Sequence, residues 1–369
     1  MASLSRRRTA GQRRERDAPD HSSTFLYRQA QSNFQIKSTE KMRCAILIAC
    51  FLAVAFCRAF AEVETNFDDF WEQLLPPEPV DEDPNLESCR KYHPNARRTI
   101  VVSAGQSARD LQTALDDATP GTLVVVGKGT WATNETLTRT FEVKNKGASR
   151  SSPITICGPG AKLDGNRRHA GLLLHKSRFV TVTGLTVQNA AKGIKMWSVS
   201  DCTLDGVTVD GTNVEAVHIQ FSSHRNTVRN CKIRNTGRTI PNVGEGIYLG
   251  SSRRNKKGDV CVGNRILDNV IGPGVTAEPI DVKEYTRDGV IAGNTLDGRD
   301  LCSKCPDPVS LVNVKGRGYR IERNIGLNAL EYAFKESAVA TAPRPKGNVF
   351  RGNKCLTKSR SRGYPCVKG

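Results

Sequence analysis

A short motif recurs through the second half of the chain, and it limits the possible folds more than any other feature. It reads apolar, any, any, anchor, any, apolar, and its clearest copies are 182–187, 204–209 and 228–233. The successive anchors lie 22, 24, 38, 25, 30 and 29 residues apart; they are Leu185, Val207, Cys231, Asn269, Asn294, Asn324 and Asn353. Self-similarity at this period is typical of a solenoid, in which each repeat forms one structural turn.

The repeats predict strands, because their apolar residues stand two or three apart in short β-branched runs separated by Gly and Asn. We therefore expect an all-β fold, a single-stranded right-handed parallel β-helix over residues 89–356. The last four anchors are Asn, and stacked Asn side chains can form a hydrogen-bonded ladder. Residues 107–118 predict an amphipathic helix that caps the open end of the first coil.

The N-terminal region predicts export. The apolar stretch 44–57 is 14 residues long, whereas a membrane-spanning helix needs about 20. With Met42 before it and Ala59-Phe-Ala61 after it, residues 42–61 have the pattern of a signal peptide. We expect a secreted protein without a stable membrane span in its mature form. Residues 1–41 are a basic extension, either upstream of the true start or a cytoplasmic arm before a signal anchor.

The net charge of +18 is an average over unlike segments. Residues 62–88 form an acidic leader with ten acidic and no basic residues, and the remainder from residue 89 carries +21. The leader is either a solvated tail or a pro-segment that masks a basic groove, and residues 357–369 form a basic tail. A body this basic predicts an anionic partner, and export favours an acidic polysaccharide over nucleic acid.

Nine cysteines follow the signal segment, and in a secreted protein most should form disulfides. Because nine is odd, at least one stays free. For Cys302 and Cys305 a loop disulfide, or pairing elsewhere, is favoured over zinc, because no second ligand pair accompanies them. Asn134 begins an acceptor sequence for N-glycosylation.

A second strand in each coil carries charged and polar residues in columns, when the strands are aligned on their inward apolar pairs. One column contains Glu215, Glu245 and Glu278, which we predict as metal ligands. A second contains Lys283 and Lys315, the predicted catalytic pair. Side chains of a third column should face outward and contact substrate, namely His218, Tyr248, Asp281 and Asn313.

These columns suit elimination from a uronic acid. Glutamates one coil apart repel one another unless a cation such as calcium neutralises them. A lysine among such groups can accept a proton, as the C5 proton of a uronate requires. The alternatives are a solvated charged sheet face and a non-catalytic β-helix that binds anionic cell-wall or matrix glycans. The basic loop with Arg253, Arg254, Lys256 and Lys257 would hold the acidic chain or form a solvated turn.

Two resemblances accompany these patterns. The predicted capping helix and the coils from about Thr99 to Cys355 resemble secreted β-helix proteins of the pectate-lyase-like superfamily. The segment 278–283 resembles the Glu-x-x-x-x-Lys segment of calcium-dependent lyases of the chondroitinase-B and alginate-lyase type. That resemblance implies Glu278 as a calcium ligand and Lys283 as the base. Lys315 stands where that family has an arginine as the acid. We expect a monomeric polysaccharide lyase.

Overall fold

The computed structural model describes residues 83–133, 139–252, 259–305, 310–340, 342–356 and 366–368. In these residues the chain winds through about nine turns of a parallel β-helix with very little helix, so the predicted fold class is confirmed. Its three parallel sheets run along the axis, and each coil adds one strand to each sheet.

The first sheet has ten strands in the described part of the chain. They are Arg98–Val102, Thr122–Val126, Ile154–Cys157, Val180–Thr183, Thr203–Asp205, Thr227–Arg229, Arg265–Leu267, Val290–Ala292, Arg320–Glu322 and Val349–Arg351. The second sheet has nine described strands: Gly129–Ala132, Ala161–Asp164, Thr186–Ala190, Thr208–Thr212, Lys232–Arg234, Val270–Ile271, Thr295–Asp297, Ile325–Leu327 and Lys354–Cys355.

The third sheet also has nine described strands, and it carries the polar columns. They are Phe141–Lys144, Leu172–His175, Ile194–Trp197, Val217–Gln220, Ile247–Leu249, Ile280–Val282, Val312–Val314, Phe334–Glu336 and Val367–Lys368. Side chains alternate between the two faces of a strand, so apolar residues at every second position fill the interior between the sheets. The polar residues between them face away from this core.

The recurring motif forms the corner between the first and second sheets. Val182 lies in the first sheet, Leu185 in the corner and Val187 in the second sheet. The residue before each anchor has a positive φ, which explains why Gly, Asn and Asp are frequent there. These residues are Gly184, Gly206, Asn230, Asp268, Gly293, Arg323 and Gly352.

The predicted asparagine ladder is confirmed. The side-chain Nδ2 of each Asn donates to Oδ1 of the next one along the axis, at 2.9 Å from Asn269, 2.8 Å from Asn294 and 2.9 Å from Asn324. Each Oδ1 also accepts the backbone N–H of the preceding anchor, as Asn294 does from Asn269. The ladder thus satisfies the buried backbone groups that the sharp corner leaves without sheet partners.

We expect Asn294→Ala to lower the free energy of unfolding by about 3 kcal/mol or more. The change removes the acceptor of the buried N–H of Asn269, one of the two acceptors of its side-chain amide, and the side-chain donor to the carbonyl of Ile266. Urea unfolding would measure the loss. Asn213→Ala is the control, because Asn213 donates one hydrogen bond to Arg167 at an exposed position. Equal losses in both variants would contradict a structural role for the ladder.

Two helices cover the start of the β-helix. Residues Ala108–Asp117 form the predicted capping helix, and Ser107 closes its first turn by a reciprocal capping box with Asp110. Leu111 and Leu115 of this helix are buried in the core of the first coils. The sheet edge that an uncovered first coil would expose is therefore packed.

The second helix, Asn85–Arg90, lies against the outer face of the first sheet. Its Leu86 packs with Leu123 and Val125. The described end of the predicted leader, residues 83–88, therefore packs on the body.

The described cysteines form three disulfides, Cys89–Cys157, Cys302–Cys305 and Cys355–Cys366. The loop disulfide favoured for the Cys302 and Cys305 pair is confirmed. Cys202, Cys231 and Cys261 are free thiols buried inside the coils. Six of the nine cysteines are paired, as expected for an exported protein. No helix among the described residues is both long and apolar enough to span a bilayer.

Candidate functional site

The polar columns predicted from the sequence lie in register on the third sheet. His218 pairs with Tyr248, Tyr248 with Asp281 and Asp281 with Asn313, each one coil further along the axis. The inward pairs used for the alignment are in register as well, for example Ile247 with Ile280 and Leu249 with Val282. Because every outward side chain is stacked one coil from the next, the columns bring distant parts of the sequence to about 4.8 Å spacing.

Three carboxylates converge at the centre of this face. Glu245, Glu278 and Asp281 each place an oxygen within 4.8 Å of the others. Glu245 and Glu278 precede their strands by two residues, and bends at this point turn their side chains toward the outward Asp281. Asp281 is only 1% exposed. We call these three residues the acidic cluster.

Two lysines are fixed to the acidic cluster through Asp281. Nζ of Lys283 lies 2.5 Å from Oδ2, and Nζ of Lys315 lies 2.5 Å from Oδ1. Lys283 follows Asp281 by two residues on the same face, and Lys315 comes from the next coil. Burial alone would raise the pKa of Asp281, but the two ammonium groups outweigh it and hold that pKa below its usual value.

In Glu245 and Glu278, the other two members of the acidic cluster, burial and neighbouring carboxylates disfavour the charged form. Burial, with Asp281 and Glu278 nearby, raises the pKa of Glu245 to about 8. Burial and Asp281 also raise the pKa of Glu278 above its usual value. Oε2 of Glu245 is buried without a hydrogen-bond partner, and so is Oδ1 of Asn313, whose Nδ2 donates to Glu278 at 3.1 Å. The site therefore has more oxygen acceptors than the described residues have donors for them.

This donor set fits a hard divalent cation. Calcium takes carboxylate and amide oxygens at about 2.3–2.6 Å, so two oxygens on opposite sides of the ion lie about 5 Å apart. The separation within the acidic cluster is compatible with that distance. Buried oxygens without donors are the groups that such an ion would satisfy.

Glu215, the third predicted metal ligand, lies outside this group. Its Oε2 is 2.7 Å from Nζ of Lys192, and its Oε1 is 3.6 Å from Nδ1 of His218. Among the described residues the acidic cluster therefore contains Asp281 and not Glu215. Burial lowers the pKa of His218 to about 4, so its imidazole is neutral near pH 7, and Nε2 lies 3.0 Å from the carbonyl of Gly250.

Tyr248 connects the histidine to the lysines. Its ring makes an edge contact with His218 at 4.6 Å, and Nζ of Lys283 lies 4.5 Å from the ring centroid. Burial raises the pKa of Tyr248, so the phenol keeps its proton. Gly250 makes room beside Lys283, since a Cβ there would come within 3.1 Å of the Cβ of Lys283.

The residues predicted as outward substrate contacts face away from the core but are largely covered. His218, Tyr248, Asp281 and Asn313 are all less than 9% exposed, because they pack against one another and against the lysines. Lys283 and Lys315 are the more accessible groups, with 13% and 14% of their side chains exposed. The predicted glycosylation site Asn134 and the basic loop residues Arg253, Arg254, Lys256 and Lys257 lie outside the described residues.

Solved structures resemble this architecture along most of its length. An alginate lyase from Paenibacillus sp. str. FPU-7 is 26% identical with a TM-score of 0.60, covering 74% of this chain and 99% of its own. A pectate lyase, Bsp165PelA from Bacillus sp. N165, solved with trigalacturonate, is 12% identical with a TM-score of 0.50 and coverage of 73% and 86%.

The chain has the fold of the pectate and alginate lyases. A family model described as periplasmic copper-binding protein (NosD) also matches residues 156–271, and that family shares the parallel β-helix fold. No curated protein sequence matches the chain at a significant level. The predicted resemblance to pectate-lyase-like β-helix proteins is confirmed, and the structural neighbours support a lyase-like protein.

Proposed function

We propose that this protein is a polysaccharide lyase that cleaves a uronic-acid-containing polysaccharide by calcium-assisted β-elimination at the third sheet. The observation that carries the proposal is the pairing of an acidic cluster with two lysines on one buried aspartate. Carboxylates that could hold a cation and amines that could move a proton thus all lie within one coil of Asp281. The basic body and the expected export agree with an acidic extracellular substrate.

The acidic cluster would hold the cation. Glu245, Glu278 and Asp281 supply the carboxylate oxygens, and Asn313 offers an amide oxygen on the same side. When bound, calcium would neutralise the substrate carboxylate and make the neighbouring C5 proton more acidic. These residues otherwise repel one another, so the site is prepared for a positive partner.

Lys283 is the proposed base. Burial by itself lowers the pKa of Lys283, but Asp281 outweighs it, and the pKa lies above its usual value. Lys283 can accept the C5 proton only as a neutral amine. Asp281 must therefore first interact with another positive partner, so that it no longer stabilises the charged form of Lys283. This requirement couples proton transfer to occupation of the acidic cluster, because Asp281 belongs to both.

The electron pair left on C5 forms the C4–C5 double bond, and the bond from C4 to the linking oxygen breaks. That oxygen leaves as a hydroxyl once it receives a proton. Lys315 is the proposed donor, since its Nζ contacts the same aspartate as Lys283. The phenol of Tyr248 is a second donor beside Lys283. Each cleavage gives two fragments, and one of them carries an unsaturated uronosyl residue at its new end.

The alginate lyase from Paenibacillus supports this class of substrate, since the similarity extends over nearly the whole of that enzyme. Activity assays on each polymer distinguish mannuronate, guluronate, galacturonate and glycosaminoglycan chains as substrates. A glycan-binding protein without activity would use the same basic face, and it is the main competing function.

Incubating the protein with alginate, pectate and glycosaminoglycans, each with calcium and with a chelator, tests the proposal. We expect the absorbance of the unsaturated uronide to grow on at least one polymer, and to grow more slowly with the chelator. Retention of a polymer on the immobilised protein without any absorbance change would instead establish the glycan-binding function. Absence of both product and retention would overturn both functions.

A further inference from the structure

The third sheet carries a second group of side chains, on the N-terminal side of the acidic cluster. The ring of Trp197 stacks on that of Phe221, with centroids 4.3 Å apart and an interplanar angle of 16°. Nζ of Lys195 lies 4.9 Å from the centroid of Trp197, and the ring of His175 lies 5.7 Å away. Cation and aromatic rings thus form one partly accessible patch.

Lys195 lacks the direct carboxylate contact that three neighbouring lysines of this face have. Lys192 pairs with Glu215, and Lys283 and Lys315 pair with Asp281. Among the described residues no carboxylate lies within ion-pair distance of Lys195, although Glu215 attracts it from further away, and its ammonium rests on the indole of Trp197. A ring face compensates a cation only weakly, so this ammonium can still donate hydrogen bonds to the carboxylate of a ligand.

Phe221 is held in this patch at a conformational cost. It has φ 55°, in the left-handed region that bulky side chains rarely adopt. Ser198 fills the equivalent turn position one coil earlier, and Asn145 and Lys176 fill it before that. A large aromatic ring at this turn is not required by the fold, because a small or flexible polar side chain serves in the neighbouring coils. Such outliers cluster at binding sites.

The register places this patch on the line of the proposed substrate. Lys195 pairs with His218, His218 with Tyr248 and Tyr248 with Asp281, so three coil steps separate it from the acidic cluster. Three steps amount to about 14 Å along the axis. One pyranose ring with its linkage is about as long as one coil step, so successive sugars of a polyuronate lying along the sheet would lie over successive coils.

We propose that Lys195, Trp197 and Phe221 form a distal uronate-binding subsite, about three sugar residues from the bond that is cleaved. Lys195 binds the carboxylate of that sugar, and the edges of the two rings contact its C–H groups. This assignment rests on the proposed function for the direction of the substrate. It adds that affinity and turnover grow with the length of the substrate until the chain reaches Lys195.

Calorimetric binding to oligouronates of three and six residues tests the subsite without relying on catalysis. The titrations use the full chain carrying Lys283→Ala, with and without Lys195→Met or Trp197→Leu, and oligomers of mannuronate, guluronate and galacturonate. We expect the hexamer to bind more tightly than the trimer, and each patch variant to weaken the hexamer by about tenfold while changing the trimer little. Lys232→Met, on the exposed face of the second sheet, is the matched control for charge.

The outcomes separate the subsite from the lyase proposal. A length advantage that disappears in the Lys195 and Trp197 variants supports the subsite even if the wild-type protein releases no unsaturated product. Equal weakening of trimer and hexamer, or no weakening of either, overturns the subsite even if the protein is an active lyase. A loss of the same size in Lys232→Met would reduce the effect to overall charge and also overturn it.

Discussion

Replacing Lys283 with alanine is expected to lower kcat by about a thousandfold or more on whichever polyuronate is cleaved, because it removes the proposed base. Substrate affinity should change much less, since Lys315 still occupies the other oxygen of Asp281. Initial rates of absorbance growth at saturating and limiting substrate would separate kcat from KM. Lys162→Ala is the control, because it removes the same charge from an exposed position on the second sheet.

Lys283→Arg distinguishes a base from a structural cation. An arginine keeps the positive charge and can pair with Asp281, so folding and binding should survive. It stays protonated at every working pH, and therefore cannot accept the C5 proton. A Lys283→Arg protein that retains more than about a tenth of the wild-type kcat would exclude Lys283 as the base.

Glu245→Gln should make the calcium-free protein more stable in alkali. The folded-state pKa of Glu245 is about 8, above its usual value of 4.5, because of burial and the neighbouring Asp281 and Glu278. A raised carboxyl pKa contributes stability that is complete below pH 4.5 and is lost as the pH rises through 8. The glutamine stays neutral throughout. Urea unfolding with a chelator should thus give similar stabilities at pH 4, and at pH 9 an advantage for the variant of at most about 5 kcal/mol.

Calcium should reverse this order if the acidic cluster is its site. A ligand at a hundred times its Kd adds about 2.7 kcal/mol to the stability of the protein that binds it. We expect that gain in wild type and a much smaller one in Glu245→Gln. Glu87→Gln is the control, since the Glu87 side chain is 86% exposed. Equal calcium stabilisation of wild type and Glu245→Gln would place the ion elsewhere. An equal pH dependence of the stability of the two proteins would show that Glu245 does not have a raised pKa.

The sequence predicts the coils well because each repeat of a solenoid folds in the same local way. Corner residues such as Asn294 and Asn324 recur at one coil per copy, so their stacking could be predicted without any long-range information. The inward pairs of the third sheet are equally local, since strand alternation alone decides which residues face the core. Register then follows, because each coil has one alignment that keeps all inward residues apolar.

The central position of Asp281 in the candidate site could not be predicted in the same way. Asp281 is one of several outward polar residues in the sequence, and alternation predicts only its face. That it holds both Lys283 and Lys315, and is almost completely buried, depends on side-chain conformations in two coils. The position of Glu215 outside the acidic cluster likewise depends on its ion pair with Lys192. That Lys195 lies against Trp197 and not directly against a carboxylate also depends on side-chain conformations.

Because each coil adds one strand to the third sheet, positions along this sheet are spaced at a fixed interval. Groups on it can be separated only by whole coils, so the distance between the chemistry and any anchor changes in steps of about 4.8 Å. Removing one complete coil between Lys195 and Asp281 would shorten the reach by a single sugar and leave the reacting groups unchanged. Under the proposed function, the length of the oligosaccharides released would therefore depend on the number of coils between Lys195 and Asp281.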